Sequence, residues 1–240
     1  MRPAPVFRQL HHGSAALLLP NVWDASSARA FAAAGFPALA TSSSAMAATL
    51  GYEDGERTPS SEMFAAVSRI AQAVDVPVSA DIEAGYGLEP GELLERLLEA
   101  GVVGCNVEDS DPATGALKDV ERHADWLATL CAAAGEDLFV NARVDVFLRG
   151  TATEEAISRG RRYAVAGAGC VYPILAPVHE LRGLMAAIGA PINALSRPDT
   201  ASISQVAAEG VARITFGGGL HRLAITAVER LAHDLAVTRP

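Results

Sequence analysis

Residues 76–110 read VPVSADIEAGYGLEPGELLERLLEAGVVGCNVEDS. Two short apolar runs, Val76–Asp81 and Val102–Glu108, flank a segment around Pro90–Ala100 that reads as a helix, with Pro90 suited to its first turn and Gly101 to its left-handed cap. A strand, a helix and a second short apolar strand in that order imply parallel pairing. Both strands run out into acids, Asp81-Ile82-Glu83 and Glu108-Asp109.

The same unit repeats in both directions. Strands are expected at Leu17–Val22, Ala38–Ser42, Leu138–Arg143, Cys170–Pro173, Pro191–Leu195 and Arg213–Phe216. Helices are expected at Ala25–Ala34, Ser60–Ala73 (capped by Ser60 or Ser61), Glu121–Ala134, Thr153–Ala166, Val178–Ile188, Ser202–Glu209 and Leu220–Ala236. Gly35, Gly101, Gly135, Gly167 and Gly210 close helices before the next strand. Eight β/α units predict a (β/α)8 TIM barrel, one α/β domain over residues 1–240. A doubly wound open sheet would bring a glycine-rich phosphate turn after the first strand, where this chain has PNVWDAS.

The formal net charge of -9 over 240 residues excludes a general nucleic-acid binder, which needs a basic face. It leaves room for an anionic small molecule, because one arginine can dominate a pocket. Three cysteines, Cys105, Cys131 and Cys170, form no C-x-x-C pair, which points to a reducing compartment. The apolar run Ala15–Leu19 is too short to span a bilayer and has no signal-peptide cleavage pattern, so a soluble cytoplasmic protein is expected.

Chemistry in such barrels gathers at the C-terminal strand ends. Those ends offer Thr41–Ser44, Asp81 and Glu83, Glu108 and Asp109, Asn141, Arg143 and Asp145, Asn193, and the turn Gly217–Gly219; Asp54 lies on the loop after the second strand. Strand alternation puts Asp81 and Glu83 on one face, and Glu108 with Asn106 and Gly104 on the inner face of the fourth strand, opposite Val103, Cys105 and Val107. Asp81, Glu83 and Glu108 would then converge on the mouth and repel one another unless a cation sits among them. Oxygen donors without His or Cys favour Mg2+, with Mn2+ as the alternative. Arg143 fits an anion clamp, or else an ion pair with Glu108 or Asp145. The Thr41–Ser44 hydroxyls and amides could receive a carboxylate, or form an ordinary polar turn. The FGGG turn could cradle a phosphate.

TSSSAMAATLGYEDG, VSADIEAGYG, GVVGCNVEDS, LFVNARVDVF and PINAL, in this order and spacing between Asn21 and Gly219, resemble the isocitrate lyase/phosphoenolpyruvate mutase superfamily. The resemblance implies a (β/α)8 barrel, a Mg2+ ion with an α-oxo acid or its enolate upon it, and dimers or tetramers that often exchange the last helix. By position, Asp81 resembles the direct metal ligand and Glu83 a second acid, with Glu108 and Asp54 holding the ion through water. Thr41, Ser42 and Ser43 fall where the family binds a substrate carboxylate, Arg143 where developing negative charge is stabilised, and Asn193 at a substrate contact. The loop SDPATGALKDVERH lacks the Lys-x-Cys-Gly-His segment of the isocitrate and methylisocitrate lyases, and Ile174 stands where those lyases carry Glu.

The expectation is a Mg2+-dependent lyase breaking a C–C bond in a small 2-oxo or 2-hydroxy (di)carboxylic acid. Arg143 and Asp54 are its candidate catalytic groups, and the loop Asp109–Val120 is its lid. The alternatives are phosphonopyruvate mutase or hydrolase chemistry, a phosphate-binding isomerase, and a non-catalytic metabolite-binding barrel. Lys118, the only lysine, lies on the expected lid, which argues against a Schiff-base aldolase needing a lysine inside the barrel.

Overall fold

The computed structural model describes residues 4–150, 152–197 and 201–238. Its strands are β1 (Leu17–Leu18), β2 (Asn21–Val22), β3 (Leu39–Thr41), β4 (Val78–Asp81), β5 (Gly104–Glu108), β6 (Phe139–Val144), β7 (Cys170–Pro173), β8 (Asn193–Leu195) and β9 (Arg213–Thr215). Parallel pairing runs β2-β3-β4-β5-β6-β7 in one sheet and β1-β9-β8 in the other. The short strands β1 and β2 are halves of one barrel strand interrupted at Leu19-Pro20. Across that break, the Leu19 N–H still donates to the Ile214 carbonyl and the Pro20 carbonyl accepts from the Ala40 N–H, each at 2.9 Å. The Val171–Ile192 bridge joins β7 to the residue before β8. The circuit is therefore closed, and the expected (β/α)8 barrel is what the chain forms.

The helices are α1 (Ala4–Leu10), α2 (Ala25–Ala33), α3 (Ser43–Leu50), α4 (Ser60–Gln72), α5 (Pro90–Glu99), α6 (Val120–Ala134), α7 (Thr153–Val165), α8 (Leu181–Ile188), α9 (Ile203–Ala208) and α10 (Gly219–Val237). A reciprocal capping box starts α2: the Asp24 carboxylate accepts from the Ser27 N–H, and the Ser27 hydroxyl from the Asp24 N–H. Neither serine caps α4: Ser60 is its first helical residue and Pro59 holds the cap position. Among the described residues no helix is long and apolar enough to cross a membrane.

Alternation along the strands sorts the core. Cys105, Val107, Val140, Ala142, Val171 and Ile214 face outward onto helical Leu93, Leu97, Leu127, Leu130 and Leu184. A separate cluster fills the foot of the barrel: Phe7 of α1 with Leu17, Leu19, Ala38, Ala40, Phe139 and Cys170. Val103, expected on the outward face, joins this lower cluster. Two helices that the sequence pattern did not announce, α1 and α3, sit at opposite ends of the barrel. The first plugs the foot, where a Cβ on Gly104 would meet Phe7 Cε1 at 2.9 Å. His11 stacks on Phe139 with ring centres 4.1 Å apart.

Phe7 is wholly buried at the plug, so Phe7→Ala should lower the unfolding free energy by ~3–5 kcal/mol, measured as a lower urea midpoint with unchanged slope. An unmoved midpoint would show that α1 does not support the barrel.

Candidate active site at the barrel mouth

Asp81 ends β4, and its carboxylate is held by donors from the neighbouring strands. Oδ2 accepts from the Ser43 N–H at 3.0 Å and the Ser43 hydroxyl at 2.8 Å, and Oδ1 accepts from the Asn106 amide at 2.9 Å. The Asp81 N–H donates to the Thr41 hydroxyl at 2.8 Å. Asn106 is oriented in turn by Asn141, whose amide donates to its Oδ1 at 2.9 Å. Ser42 caps α3, accepting from the Ala45 N–H at 3.4 Å. Thr41, Ser42 and Ser43 thus line the cavity and also orient the acid beside them.

Glu83 departs from the parity expected of it. Strand β4 stops at Asp81, and Glu83 turns through a left-handed backbone at φ 52°. Glu83 Oε2 accepts from the Glu56 N–H at 2.5 Å and Oε1 from the Tyr86 hydroxyl at 2.8 Å, while Glu56 Oε1 takes the Tyr86 N–H at 2.6 Å. Glu56 and Tyr86 are also left-handed, at φ 58° and 56°. Three such non-glycine residues in one knot store on the order of 1–3 kcal/mol each, held by these bonds. Burial pushes the Glu83 carboxyl up to about 7, with the charges of Asp81 and Asp54 adding to the shift. Asp54, on the cavity wall, is raised first by burial and then by Asp81.

Glu108 ends β5 in a close ion pair with Arg143, whose Nε also lies 2.5 Å from Asp145 Oδ1. Burial pushes Glu108 upward, and Arg143 only partly draws it back. Arg143 therefore reaches the cavity wall with its charge already shared between two carboxylates.

Among the described residues, no three His, Cys, Asp or Glu side chains form a cluster ready to hold a metal directly. The donor set nonetheless suits a hard cation. Asp81 faces the cavity, and its charge raises Asp54, Glu83 and Glu108, a tension that a divalent ion would relieve. Mg2+ keeps several of its waters, so one direct carboxylate with others acting through water is an ordinary arrangement for it.

The cavity, about 300 Å3 in volume, is bounded on the far side by Tyr172, Asn193, Arg213 and Thr215. Asn193 Oδ1 accepts from the Thr215 hydroxyl at 3.1 Å, while its buried Nδ2 has no partner. Asn21 is a residue the sequence reading missed. Its amide donates to the Thr41 carbonyl at 2.7 Å, and its Oδ1 accepts the N–H groups of Phe216 and Gly217 at 2.7 and 3.1 Å. Those amides of the FGGG turn are therefore occupied, which weakens the phosphate-cradle reading. Arg197, Arg213 and Arg222 were likewise missed; Arg213 could have been flagged by strand parity, as an inward position on the last strand.

The expected lid does not cover the cavity. Ser110 bridges Leu117, and Asp111 Oδ1 ties back Ala113 N, Thr114 N and the Thr114 hydroxyl at 3.0, 2.8 and 3.0 Å. None of residues 109–120 lines the cavity. Lys118 Nζ donates to the Ala84 carbonyl at 3.1 Å and the Glu108 carbonyl at 3.4 Å. Asp109 is an internal strut: it accepts the Asp145 N–H and the Tyr163 hydroxyl, each at 2.8 Å, and pairs with Arg159 at 3.2 Å.

The model of the family described as phosphoenolpyruvate phosphomutase matches residues 7–236. An uncharacterized protein of Mycobacterium tuberculosis is 36% identical over 220 residues, 88% of this chain and 81% of its own length. The crystal structure of a candidate phosphonomutase from Burkholderia cenocepacia J2315 superimposes with a TM-score of 0.88 at 39% identity, covering 96% of this chain and 99% of that one. A 2-methylisocitrate lyase of Halalkalibacterium halodurans is 28% identical over 199 residues, 78% of this chain and 65% of its own.

Asp109→Ala would remove the buried acceptor shared by Arg159, the Tyr163 hydroxyl and the Asp145 N–H, leaving Arg159 with Glu155 as its remaining carboxylate. It should cost ~1–3 kcal/mol in unfolding free energy; a loss within experimental error would rule out the strut.

Proposed function

The chain belongs to the phosphoenolpyruvate phosphomutase family, within the isocitrate lyase/phosphoenolpyruvate mutase superfamily of lyases and mutases, and on that footing we propose that it is a Mg2+-dependent lyase cleaving a C–C bond in a small 2-oxo or 2-hydroxy carboxylic acid. The observation that carries this reading is the Asp81 carboxylate, oriented by Ser43 and Asn106 at the wall of a closed-barrel cavity and surrounded by acids it perturbs.

Asp81 would hold the ion directly, with Glu83, Glu108 and Asp54 engaging it through water; Mn2+ could replace Mg2+. When bound, such an ion supplies Lewis-acid polarisation of oxo and carboxylate oxygens. The protein's own groups do the remaining work. Ser42, at the cap of α3, offers its hydroxyl and the positive end of a helix to the substrate carboxylate, while Ser43 beside it keeps Asp81 aimed. Arg143, pre-oriented by Glu108 and Asp145, opposes the charge that builds as the C–C bond breaks. Asn193, with a free amide N–H in the cavity wall, contacts the substrate opposite Asp81. Phosphonopyruvate mutase or hydrolase chemistry is the second reading, supported by the family match. Conversion of phosphonopyruvate to phosphoenolpyruvate, or its hydrolysis to pyruvate and phosphate, would select it.

The last helix bears on assembly. Helix α10 exposes Leu223, Val228, Leu231 and Leu235, and Gly219 is its only buried residue. A 19-residue helix with so much uncovered apolar surface calls for a partner. We assign it to a homodimer or homotetramer in which α10 packs on a second copy. The three free thiols suit a cytoplasmic setting.

Asp81→Ala should abolish Mg2+ binding by calorimetry and lower turnover ~100- to 1,000-fold. Chelation of the wild type should do the same, reversibly on adding Mg2+; turnover that survives both treatments would defeat the scheme. Val228→Asp with Leu231→Asp should convert the oligomer to monomer by light scattering, and an unchanged mass would remove α10 from the interface.

A further inference from the structure

One cation inside the barrel is not used by the chemistry proposed above. Arg213 is the first residue of β9, registered between Leu17 of β1 and Asn193 of β8, and it lines the cavity. Only 2% of it is exposed. Its Nε and Nη1 are buried without a partner, and no ion pair among the described residues includes it.

The groups around this guanidinium do not neutralise it. His11, between the foot plug and Arg213, is kept neutral by burial, its pKa lowered to about 3. Burial raises Cys170 to about 12 and raises Cys105 as well, so both remain thiols. Asp81 is the nearest carboxylate to pull on it and lies beyond ion-pair distance. Phe7, His11 and Phe139 close the foot, so a counter-ion can arrive only from the cavity. Two more buried donors in the same wall lack partners, the Nδ2 of Asn193 and the hydroxyl of Ser79. Arg143 differs, because Glu108 and Asp145 already balance it.

We propose that Arg213, with Asn193 and Ser79, receives the second carboxylate of a dicarboxylic 2-oxo or 2-hydroxy acid, making this floor the element that selects dicarboxylates over monocarboxylates. A planar guanidinium with two free N–H edges matches a carboxylate better than a lone ammonium would. This inference rests on the proposed function, in which the substrate's other end lies at Asp81 and Ser43.

The test is calorimetric titration of the full-length protein with saturating Mg2+, using oxalate, lactate and malate. Oxalate occupies the mouth only; lactate and malate differ by the second carboxylate. Wild-type protein should bind malate about 10- to 100-fold more tightly than lactate. Arg213→Met should erase that preference and leave oxalate affinity within about twofold, a split that general loss of structure would not give. The wild-type comparison stands even where the variant fails to fold. Equal affinities for malate and lactate, with oxalate bound, would overturn the floor assignment and leave the metal reading intact. Failure of oxalate to bind would overturn both. Chloride or phosphate that stabilises the wild type through Arg213 without competing with malate would identify a resident inorganic anion and also overturn the proposal.

Discussion

The site turns on keeping one carboxylate correctly aimed in a crowded, half-buried place. Asp81 meets that constraint with three donors, two from the first residue of α3 and one from β5. Each donor is itself positioned by the parallel ladder, because Asp81 is registered beside Asn106 and Asn106 beside Asn141. The chain of side chains Asn141–Asn106–Asp81–Ser43 crosses the mouth from β6 to α3 and makes the barrel's register a condition of the site. A one-residue slip would turn all of these groups outward into the helical layer.

Where a residue lay inside a regular strand, sequence parity predicted its direction. Asp81 and Asn106 face inward, and Cys105 and Val107 face the helices. Parity failed where the strand had already ended. Glu83 sits in a left-handed turn, and its carboxylate is taken up by Glu56 and Tyr86. Helices α1 and α3 escaped notice because both are short and neither carries a clear one-sided apolar pattern: α3 reads SSAMAATL. The loop 109–120 is expected from the resemblance to close over a substrate; here Asp111 and the Ser110–Leu117 bridge hold it in a turn that does not line the cavity. Asn21 gave no local signal, since its partners are strands adjacent only after the ring has closed.

Charge is distributed against the average of the molecule. The chain carries 28 acidic and 19 basic residues, yet Arg143, Arg197, Arg213 and Arg222 border a cavity whose lining acids are Asp54 and Asp81. A concave, low-dielectric wall concentrates the field of such groups. The bulk negative charge then repels large polyanions while the cavity still attracts small ones.

Asn21 joins the beginning of the chain to its end: it accepts N–H groups from Phe216 and Gly217, which follow it by 195 and 196 residues. The same side chain grips the Thr41 carbonyl beside the site. A growing polypeptide on the ribosome cannot form this joint until residue 217 has emerged, so the pocket exists only once all eight barrel strands have been made. Truncated chains would expose unpaired edges and half a core, the material that quality-control proteases remove. Termination before Phe216 would leave no partially competent protein.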